Sequence, residues 1–488
     1  MTPLEILRQR TRRLTDHDTD DGADYVLCWL MQALRAEENP ALDAAIALGN
    51  TLDKPVVVLH ALENRYPYAS HRLHRFILEA SQELEAGVDG RGLRFARWVR
   101  REGESEVDLV ARLAARAAAV VVDAVPTFVT REYADGLAER LDGAVLAVDA
   151  CCAVPMRAFD RHLGSTKAFR SAHTPLRDVH LAADLRQDPA VSRYDGDLAL
   201  DSEEILDLDG TGLDDLIAEC GVDLSVPPPD GWHGGRSAAL SRLGHAVDEV
   251  LERYKWTRNN PAADGSARIS PWMHFGVLSP REVARASLDA EAAGDLHPAA
   301  RYKFLDELLT WREFYHHQCL WMDGWSRFDG LPSKAKQTLR AHADDERPTL
   351  YSLDELAHGE TDDKTWNAAQ KQFAIDGWMN NNLRMYWVAQ ILQWRPTPED
   401  AFATACYLND RFSLDGRDAS TYGGVRSGFG ESRPWTERPV YGTVAGKTSA
   451  ALMKRDGVPA WIDEQAAREV PTRAAIAEDP PPEFDRYR

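Results

Sequence analysis

The amino-acid sequence predicts an α/β domain, a doubly wound parallel sheet with helices on both faces, followed by an all-α domain. Short β-branched apolar runs alternate with segments of helical period through the first 160 residues, which is the pattern of a parallel sheet. From residue 237 onward nearly every segment has helical period, and no strand pattern recurs. At 488 residues the chain is long enough for two or three domains.

The first elements can be placed individually. Strands are predicted over residues 24–31 ("DYVLCWLM") and 54–62 ("KPVVVLHAL"), with a helix in "NPALDAAIALGNTL" between them. A strand, a helix and a strand at this length form a βαβ unit, which requires parallel strands. Further strands are predicted in "LRFARWV", "AVVVDA" and "AVLAVDACCAVP", and further helices in "RFILEASQELEAGV" and "DLVARLAARAA".

Changes in composition divide the chain into four parts. Residues 1–170 are predicted to form the α/β domain and residues 171–235 an acidic connector with short helices. Residues 236–465 are predicted to form the helical domain. Residues 466–488 are rich in Pro and charge, and we expect this tail to fray.

Composition limits the class of protein. The sequence has no run of roughly 18–20 uncharged apolar residues and no apolar stretch of a secretory signal near its start. Six dispersed cysteines without a CxxC pair predict reduced thiols in a cytoplasmic protein and no metal site. The formal charge of −21 argues against a nucleic-acid partner, yet residues 422–455 carry a net charge of +4. A local basic face can therefore still bind phosphates.

The segment "GSARISPW" offers polar side chains immediately before a predicted helix. Ser266, Arg268 and Ser270 precede or begin a helix that Pro271 can open. Hydroxyls, a cation and free backbone N–H groups at a helix start can bind an anion such as a pyrophosphate. The alternative is an ordinary helix N-cap without a ligand.

Tryptophans recur at helical spacing in the helical domain. Trp387 and Trp394 are seven residues apart, two turns on one face and roughly 10 Å along the axis. Trp366 lies 21 residues before Trp387, on a helix that must pack against this one. Three indoles so placed can carry electrons by hopping, and the alternative is that they fill the core. Trp378 does not belong to this spacing and fits either interpretation.

Several long motifs together resemble one family. The stretches "YVLCWLMQALRAEENPALDAAI", "GGRSAALSRLGHAVDEVLERYKWTRNNP", "WNAAQ", "LRMYWVAQILQW" and "YLNDRFSLDGRD" resemble the photolyase/cryptochrome superfamily, most closely the class II cyclobutane pyrimidine dimer photolyases. The resemblance spans roughly residues 24–445. It implies that the helical domain binds FAD in its reduced, anionic form. It also implies light-driven repair of UV-damaged DNA, in which a dimer flipped out of the duplex receives an electron.

The resemblance assigns roles to particular residues. It places Arg384, paired with Asp415, against the flavin, with Asn409 facing flavin N5. It makes Glu313 the hydrogen-bond partner of the pyrimidine carbonyls, whereas the residues alone also allow an ion pair between Glu313 and Arg312. The cofactor-binding residues that it implies are Tyr254, Ser266, Ala267, Arg268, Ile269, Ser270, Trp311, Arg384, Asn409, Asp415 and Gly416.

The resemblance also orders the tryptophans and leaves alternatives open. Trp387 is implied to be nearest the flavin, Trp366 intermediate and Trp394 terminal. Where class II proteins carry a tryptophan that wedges into the lesion, this chain has "GGVRSGF". A cryptochrome-like light sensor without repair activity is therefore the main alternative. The basic residues expected to contact DNA are Arg426, Arg433, Arg438 and Lys447.

Two further expectations concern the substrate and a second chromophore. His316 and His317 keep open a (6-4) photolyase, a class that uses a histidine near the lesion. The α/β domain is expected to hold an antenna chromophore of the deazaflavin type. The protein is expected to be a monomer.

Overall fold

The computed structural model describes residues 1–200, 212–431, 434–470, 472–476 and 478–488. Within these residues the α/β domain is built on a six-stranded sheet in the order β1-β6-β5-β2-β3-β4. Neighbouring strands are parallel except β1 and β6, which are antiparallel. The strands are β1 (Thr11–Arg13), β2 (Tyr25–Trp29), β3 (Val56–Leu62), β4 (Arg94–Val99), β5 (Ala117–Asp123) and β6 (Val145–Val148).

The predicted fold class is confirmed, with one addition at the edge of the sheet. The inner strands β2 and β3 are buried along their whole length, as continuous apolar runs in a parallel sheet require. The short edge strand β1, which the sequence analysis did not identify, is charged, and charge protects a sheet edge from pairing with another chain.

Helices cover both faces of the sheet. The second and third helices pack with one apolar cluster, and the fourth and fifth pack with a second cluster on the other face. The helices of this part of the chain are α1 (Pro3–Arg10), α2 (Pro40–Leu52), α3 (His71–Gly90), α4 (Glu106–Ala114), α5 (Phe128–Arg140) and α6 (Thr166–Ala182). The boundary placed at residue 170 falls inside α6.

Only helices and irregular segments follow among the described residues, and the part of the connector over 201–211 lies outside them. None of the described helices has the length and apolarity needed to cross a bilayer. The helices are α7 (Leu213–Glu219), α8 (Arg236–His245), α9 (Tyr254–Thr257), α10 (Ser270–His274), α11 (Pro280–Ala293), α12 (Pro298–Leu305), α13 (Glu313–Trp321), α14 (Ser333–Ala341), α15 (Leu353–His358), α16 (Lys364–Asp376), α17 (Asn381–Trp394), α18 (Pro398–Phe412), α19 (Ala419–Gly428), α20 (Ser449–Met453) and α21 (Val458–Ala467).

The C-terminal tail packs against the helical domain, so the expectation that it frays is wrong for its end. Phe484 and Tyr487 are fully buried. The Phe484 ring lies 5.8 Å from Tyr407 on α18, and the Tyr487 hydroxyl donates to Asp410 at 2.7 Å. Two aromatic rings among the prolines and charges supply the apolar surface that holds the tail.

Candidate functional site

The turn that ends α18 brings two predicted cofactor residues together. The Ser413 N–H donates to the Asn409 carbonyl at the end of α18, and the chain turns there. Asn409 lies before this turn and Asp415 after it. Gly416 is needed there, because a Cβ would lie 3.0 Å from both the Asn409 carbonyl oxygen and the Asp410 Cα.

Arg384 on α17 pairs with Asp415 in a buried environment. Their Nη2–Oδ1 distance is 3.4 Å, and the hydroxyls of Ser413 and Ser270 hydrogen-bond to the same carboxylate. Burial alone would raise the pKa of Asp415, but Arg384 and the two hydroxyls bring it below its usual range. Asp415 is thereby kept ionised beside a guanidinium. We call Ser270, Arg384, Asn409 and Asp415 the Arg384 cluster.

Two buried polar atoms of the Arg384 cluster have no partner among the described residues. They are the Oδ1 of Asn409 and the Nε of Arg384. The Nδ2 of Asn409 donates to Asp410 Oδ1 at 3.1 Å, which leaves the amide oxygen as its free end. Buried polar groups are nearly always hydrogen-bonded, so a free donor and a free acceptor beside a buried ion pair indicate a place for a polar ligand.

The loop before α10 is held through its backbone. The carbonyls of Ser266 and Ala267 accept from the Arg242 guanidinium at 3.0 and 2.7 Å. The Ser266 hydroxyl accepts from Asn380 Nδ2 at 3.4 Å, which joins the loop to the start of α17. Since α10 begins at Ser270, the loop and the Arg384 cluster are adjacent.

The middle of this loop has an unusual backbone conformation. Arg268 has a φ of 53°, in the left-handed region that non-glycine residues rarely adopt and that is concentrated at ligand sites. Its Cζ lies 4.6 Å from the Trp378 ring centroid, and its Nε is 3.4 Å from Asp264. Ile269 beside it is buried. Trp378 therefore packs under Arg268.

Tyr254 and Trp311 lie near a carboxylate that the sequence analysis did not single out. Burial raises the pKa of Tyr254 above its usual range, and the negative charge of Glu307 adds to this. Glu307 is 31% exposed, and its Oε1 is 2.5 Å from Lys303 Nζ and 3.4 Å from Arg258 Nη2. It stands with Trp311 in the π-helical turn Asp306–Arg312. The sequence signal is "DELLTW", an acidic pair directly before an apolar helical run.

Three of the predicted tryptophans stand in a row. Trp366 stacks on Trp387 with ring centroids 6.1 Å apart and meets Trp394 edge-on at 5.3 Å, so that it is the middle member. Trp366 and Trp387 are fully buried, and Trp394 is 6% exposed. Phe373 lies 5.9 Å from Trp387 and 5.5 Å from the Arg384 Cζ. This tryptophan row therefore adjoins the Arg384 cluster at the Trp387 end.

Glu313 does not lie in this site. Its buried carboxylate accepts from His173 Nε2 at 2.6 Å and from the N–H groups of Ala153 and Val154 at 2.5 and 3.4 Å. Arg177 donates to His173 Nδ1 at 2.9 Å, so the histidine proton is on Nε2. The expectation that Glu313 binds the bases of a lesion is therefore wrong. The carboxylate links α13 to the end of the α/β domain, and both of its oxygens already accept hydrogen bonds there.

The neighbouring histidines also have their partners at the end of the α/β domain. His317 Nε2 accepts from the Leu163 N–H at 2.9 Å, and its ring stacks 5.9 Å from His162. Burial lowers the pKa of His317 to about 4. His316 faces Cys151 and Cys152 of the α/β domain. The structure thus gives no support to a lesion-binding role for His316 or His317.

Arg426 is a structural residue, which corrects its assignment to DNA. Its side chain is fully buried, with Cζ 4.0 Å from the Trp325 ring centroid. It forms an ion pair with Glu431 and donates to the carbonyls of Trp325 and Gly330 at 3.1 and 2.8 Å. A guanidinium with all these partners cannot reach a phosphate without breaking the fold locally.

The other basic residues differ in their surroundings. Arg433 lies outside the described residues. Arg438 is half-buried with its Cζ 3.9 Å from the Tyr441 ring centroid. Lys447 is half-buried and donates to Asn382 Oδ1 at 2.7 Å, and burial lowers its pKa to about 8. Lys447 can exchange its single acceptor for a phosphate.

These features describe a two-domain protein in which a row of three tryptophans adjoins a buried ion pair with unpartnered polar atoms. Residues 26–191 match the family model for DNA photolyase. The deoxyribodipyrimidine photo-lyase of Methanothermobacter thermautotrophicus is 32% identical, covering 94% of this chain and 98% of the relative. The deoxyribodipyrimidine photo-lyase of Oryza sativa subsp. japonica is 31% identical, covering 90% and 86%. The chain belongs to the DNA photolyase family.

Solved structures share the fold. An archaeal photolyase from Sulfolobus tokodaii, described with two FAD molecules, has a TM-score of 0.63 at 17% identity, covering 90% of this chain and 89% of that one. A class III photolyase from Agrobacterium tumefaciens and a Synechocystis cryptochrome both have TM-scores of 0.61, at 16% and 15% identity, each covering 91% of this chain and 86% of theirs. A repair enzyme and a cryptochrome match equally well, so the fold alone does not separate repair from sensing. The class II assignment stays a prediction.

Proposed function

We propose that this protein binds FAD in its helical domain and uses light to split cyclobutane pyrimidine dimers in DNA. The observation that carries the proposal is the free Arg384 Nε and Asn409 Oδ1 beside a buried ion pair at one end of the tryptophan row. The names of the relatives support the reaction, and the FAD of the Sulfolobus tokodaii structure supports the cofactor. Reduced FAD would supply the photoexcited electron that opens the dimer.

The Arg384 cluster fits a flavin ring. The free Nε–H is a donor and the free amide oxygen an acceptor, and the polar edge of an isoalloxazine presents both kinds of partner. Asp415 holds the Arg384 guanidinium in place, and the guanidinium would offset a negative charge on a reduced ring. We place the ring here and the pyrophosphate toward Ser266, Arg268 and Tyr254.

The tryptophan row would bring electrons to this site. Neighbouring ring centroids lie 5.3 and 6.1 Å apart, and the order is Trp394, Trp366, Trp387 from the slightly exposed end inward. Burial of Trp366 and Trp387 keeps water and competing oxidants from the middle of the path.

Glu307 replaces Glu313 as the proposed substrate carboxylate. It is partly exposed, lies near Tyr254 and shares a helical turn with Trp311, whereas Glu313 is fully buried. A partly exposed carboxylate can accept hydrogen bonds from a base.

The antenna chromophore stays a prediction. A crevice at the carboxyl ends of β2 and β3 faces the helical domain, where the fold class usually binds ligands. Its volume is about 80 Å³, whereas small-molecule pockets usually have about 300–1,000 Å³. A three-ring deazaflavin therefore does not fit without movement of the walls. The lining includes Met31, Gln32, His60, Glu106, Phe275 and Arg417.

The experiment that tests repair is illumination of the purified, reduced protein with an oligonucleotide that contains a thymine dimer. We expect recovery of the pyrimidine ultraviolet absorbance in the light and none in the dark. A Glu307→Gln variant should bind undamaged duplex normally and lower the yield of repair. If the flavin-loaded protein leaves the dimer intact under illumination, the repair proposal is wrong.

A light sensor without repair activity is the second candidate. The observation that favours it is the burial of Arg426, which removes one predicted DNA contact at the position of the class II wedge tryptophan. Photoreduction of the flavin without preference for dimer-containing DNA at low salt would support this candidate.

A further inference from the structure

A cysteine pair at the end of the α/β domain faces a histidine of the helical domain. Cys151 and Cys152 follow β6, and His316 lies on α13. One sulfur from each cysteine and one ring nitrogen of the histidine lie within 4.8 Å of one another. Six dispersed cysteines predict no metal site, but the fold supplies the third residue from 164 positions beyond Cys152 in the chain.

The separation of the two sulfurs matches a shared ion. The Sγ–Sγ distance is 3.8 Å, and a disulfide would require about 2.05 Å. Zinc binds thiolates tetrahedrally at about 2.3 Å, which puts two ligand sulfurs about 3.8 Å apart. The two thiols of neighbouring residues are therefore already spaced as two corners of a tetrahedron.

His316 is oriented as metal-binding histidines are. Its Nδ1 lies 3.0 Å from the Arg312 carbonyl oxygen, one turn earlier on the helix, and must donate to it. The lone pair is then on Nε2, where an ion could use it. Metal-ligating histidines almost always donate their other ring N–H to a carbonyl or carboxylate in this way.

The backbone of the cysteine pair is fixed from three sides. The Asp149 carboxylate accepts from the N–H groups of Cys151 and Cys152 at 3.2 and 3.1 Å. The guanidinium of Arg312 donates to the Cys151 carbonyl at 2.8 Å, and that of Arg10 to the Cys152 carbonyl at 2.9 Å.

We propose that Cys151, Cys152 and His316 form a three-ligand site for a thiophilic divalent cation of the zinc type, which links the α/β domain to the helical domain. Binding displaces the two thiol protons, so the two thiolates neutralise the ion and the buried charge does not change. The fourth position of the tetrahedron is open to water or to a small ligand. Cys151 also lines a cavity of about 200 Å³, which provides an entry path.

Thiol labelling of the native protein tests the site directly. All six cysteines lie within the described residues, and Cys151 alone among them is partly exposed, so one thiol should react fast with a disulfide reagent. One equivalent of Zn²⁺ should slow this reaction in the wild type and leave it unchanged in His316→Ala. Absence of protection in the wild type would overturn the proposal, whatever the variant does.

Cobalt substitution identifies the ligands. Co²⁺ added to the reduced, full-length protein should give a thiolate-to-metal charge-transfer band that saturates at one equivalent and disappears with Zn²⁺. His316→Ala should weaken binding at least about tenfold, the lower end of what loss of even an outer-shell partner costs. Cys152→Ser should reduce the band, and Cys220→Ser should not, since Cys220 is buried elsewhere and its thiol only donates to the Leu216 carbonyl. An equal band in Cys152→Ser and wild type would refute the assignment.

Discussion

Two buried carboxylates, Asp415 and Glu313, were predicted to act in the active site, Asp415 beside the flavin and Glu313 at the bases of the lesion, yet their surroundings differ. Glu313 accepts three hydrogen bonds, from His173 and two backbone N–H groups, so both of its oxygens are hydrogen-bonded. Asp415 pairs with Arg384, whose Nε has no partner, close to Asn409, whose Oδ1 has none. Both carboxyls have a pKa below the usual range, so ionisation alone does not distinguish a ligand site from a structural one.

The difference lies in which polar atoms are left free. A closed set of hydrogen bonds, as around Glu313, stabilises the contact between two domains and cannot bind anything further. An incomplete set, as around Asp415, costs free energy until a ligand completes it. A buried carboxylate therefore indicates a binding site only when its neighbours still have unused donors or acceptors.

The largest expected effect concerns the tryptophan row next to Asp415. Trp387→Phe should abolish photoreduction of bound, oxidised FAD and leave the flavin content unchanged, because the row loses the member that adjoins the Arg384 cluster. Trp378→Phe is the matched control, since Trp378 packs under Arg268 outside the row. Flavin absorbance under continuous blue light measures both. Fast photoreduction in Trp387→Phe would mean that another residue is the donor.

The next effect concerns Arg384, the cation that pairs with Asp415. Arg384→Ala leaves Asp415 as an unpaired buried charge, which typically costs about 3–5 kcal/mol of stability. It also removes the free Nε, so FAD should be lost from the purified protein. Arg395→Ala is the control, because it breaks a pair with Asp479 outside the Arg384 cluster. We expect the control to retain FAD. A fully yellow Arg384→Ala protein would contradict the placement of the flavin.

Glu313→Gln should give the opposite result: lower stability without loss of function. The new amide would place an N–H or a weaker acceptor against the His173 Nε2–H, at a cost of about 1–3 kcal/mol. Flavin content and photoreduction per folded molecule should stay as in the wild type. A selective loss of repair in a stably folded Glu313→Gln would restore Glu313 as a substrate ligand.

The pH dependence sharpens this contrast. Burial acts to raise the pKa of Glu313, but the His173 and backbone hydrogen bonds lower the folded-state value below that of the unfolded chain, about 4.3. The carboxylate therefore contributes stability above this pH and loses it as the pH falls through the folded-state value. Thermal unfolding between pH 7 and pH 3 should show a smaller acid-induced decrease in Glu313→Gln than in wild type.

The sequence could predict what depends on local spacing. The α/β domain follows from apolar periodicity, and the spacing of seven residues places Trp387 and Trp394 on one helix face, whereas the order with Trp366 in the middle came from the family resemblance. The pairing of Arg384 with Asp415 came from family resemblance and could not have been derived from periodicity. These residues lie within one compact part of the chain.

Contacts between distant segments could not be predicted. Glu313 meets His173 across 140 residues and Ala153 across 160, and nothing near Glu313 in the sequence indicates either partner. Arg426 packs on Trp325, 101 residues away, although its local sequence is only basic and glycine-rich. The end of the tail was misjudged for a similar reason, since Tyr487 finds its acceptor in Asp410.

The smallest expected effect concerns Lys447, which donates to Asn382 Oδ1 at 2.7 Å and could exchange this acceptor for a phosphate. Lys447→Gln should reduce the slope of log affinity against log salt for duplex DNA by about 0.9, the value of one phosphate contact, without changing the preference for damaged DNA.

Burial lowers the pKa of Lys447 to about 8, so the neutral form of the side chain becomes more populated as the pH rises from 7 to 9. The wild type should therefore lose affinity over this interval, and Lys447→Gln should lose less. Lys454→Gln is the matched control, because Lys454 is exposed in the same segment. An equal change in DNA affinity in both variants would mean that the segment attracts DNA only through its overall positive charge. Lys447 would then make no direct phosphate contact and would be a structural residue, as Arg426 is.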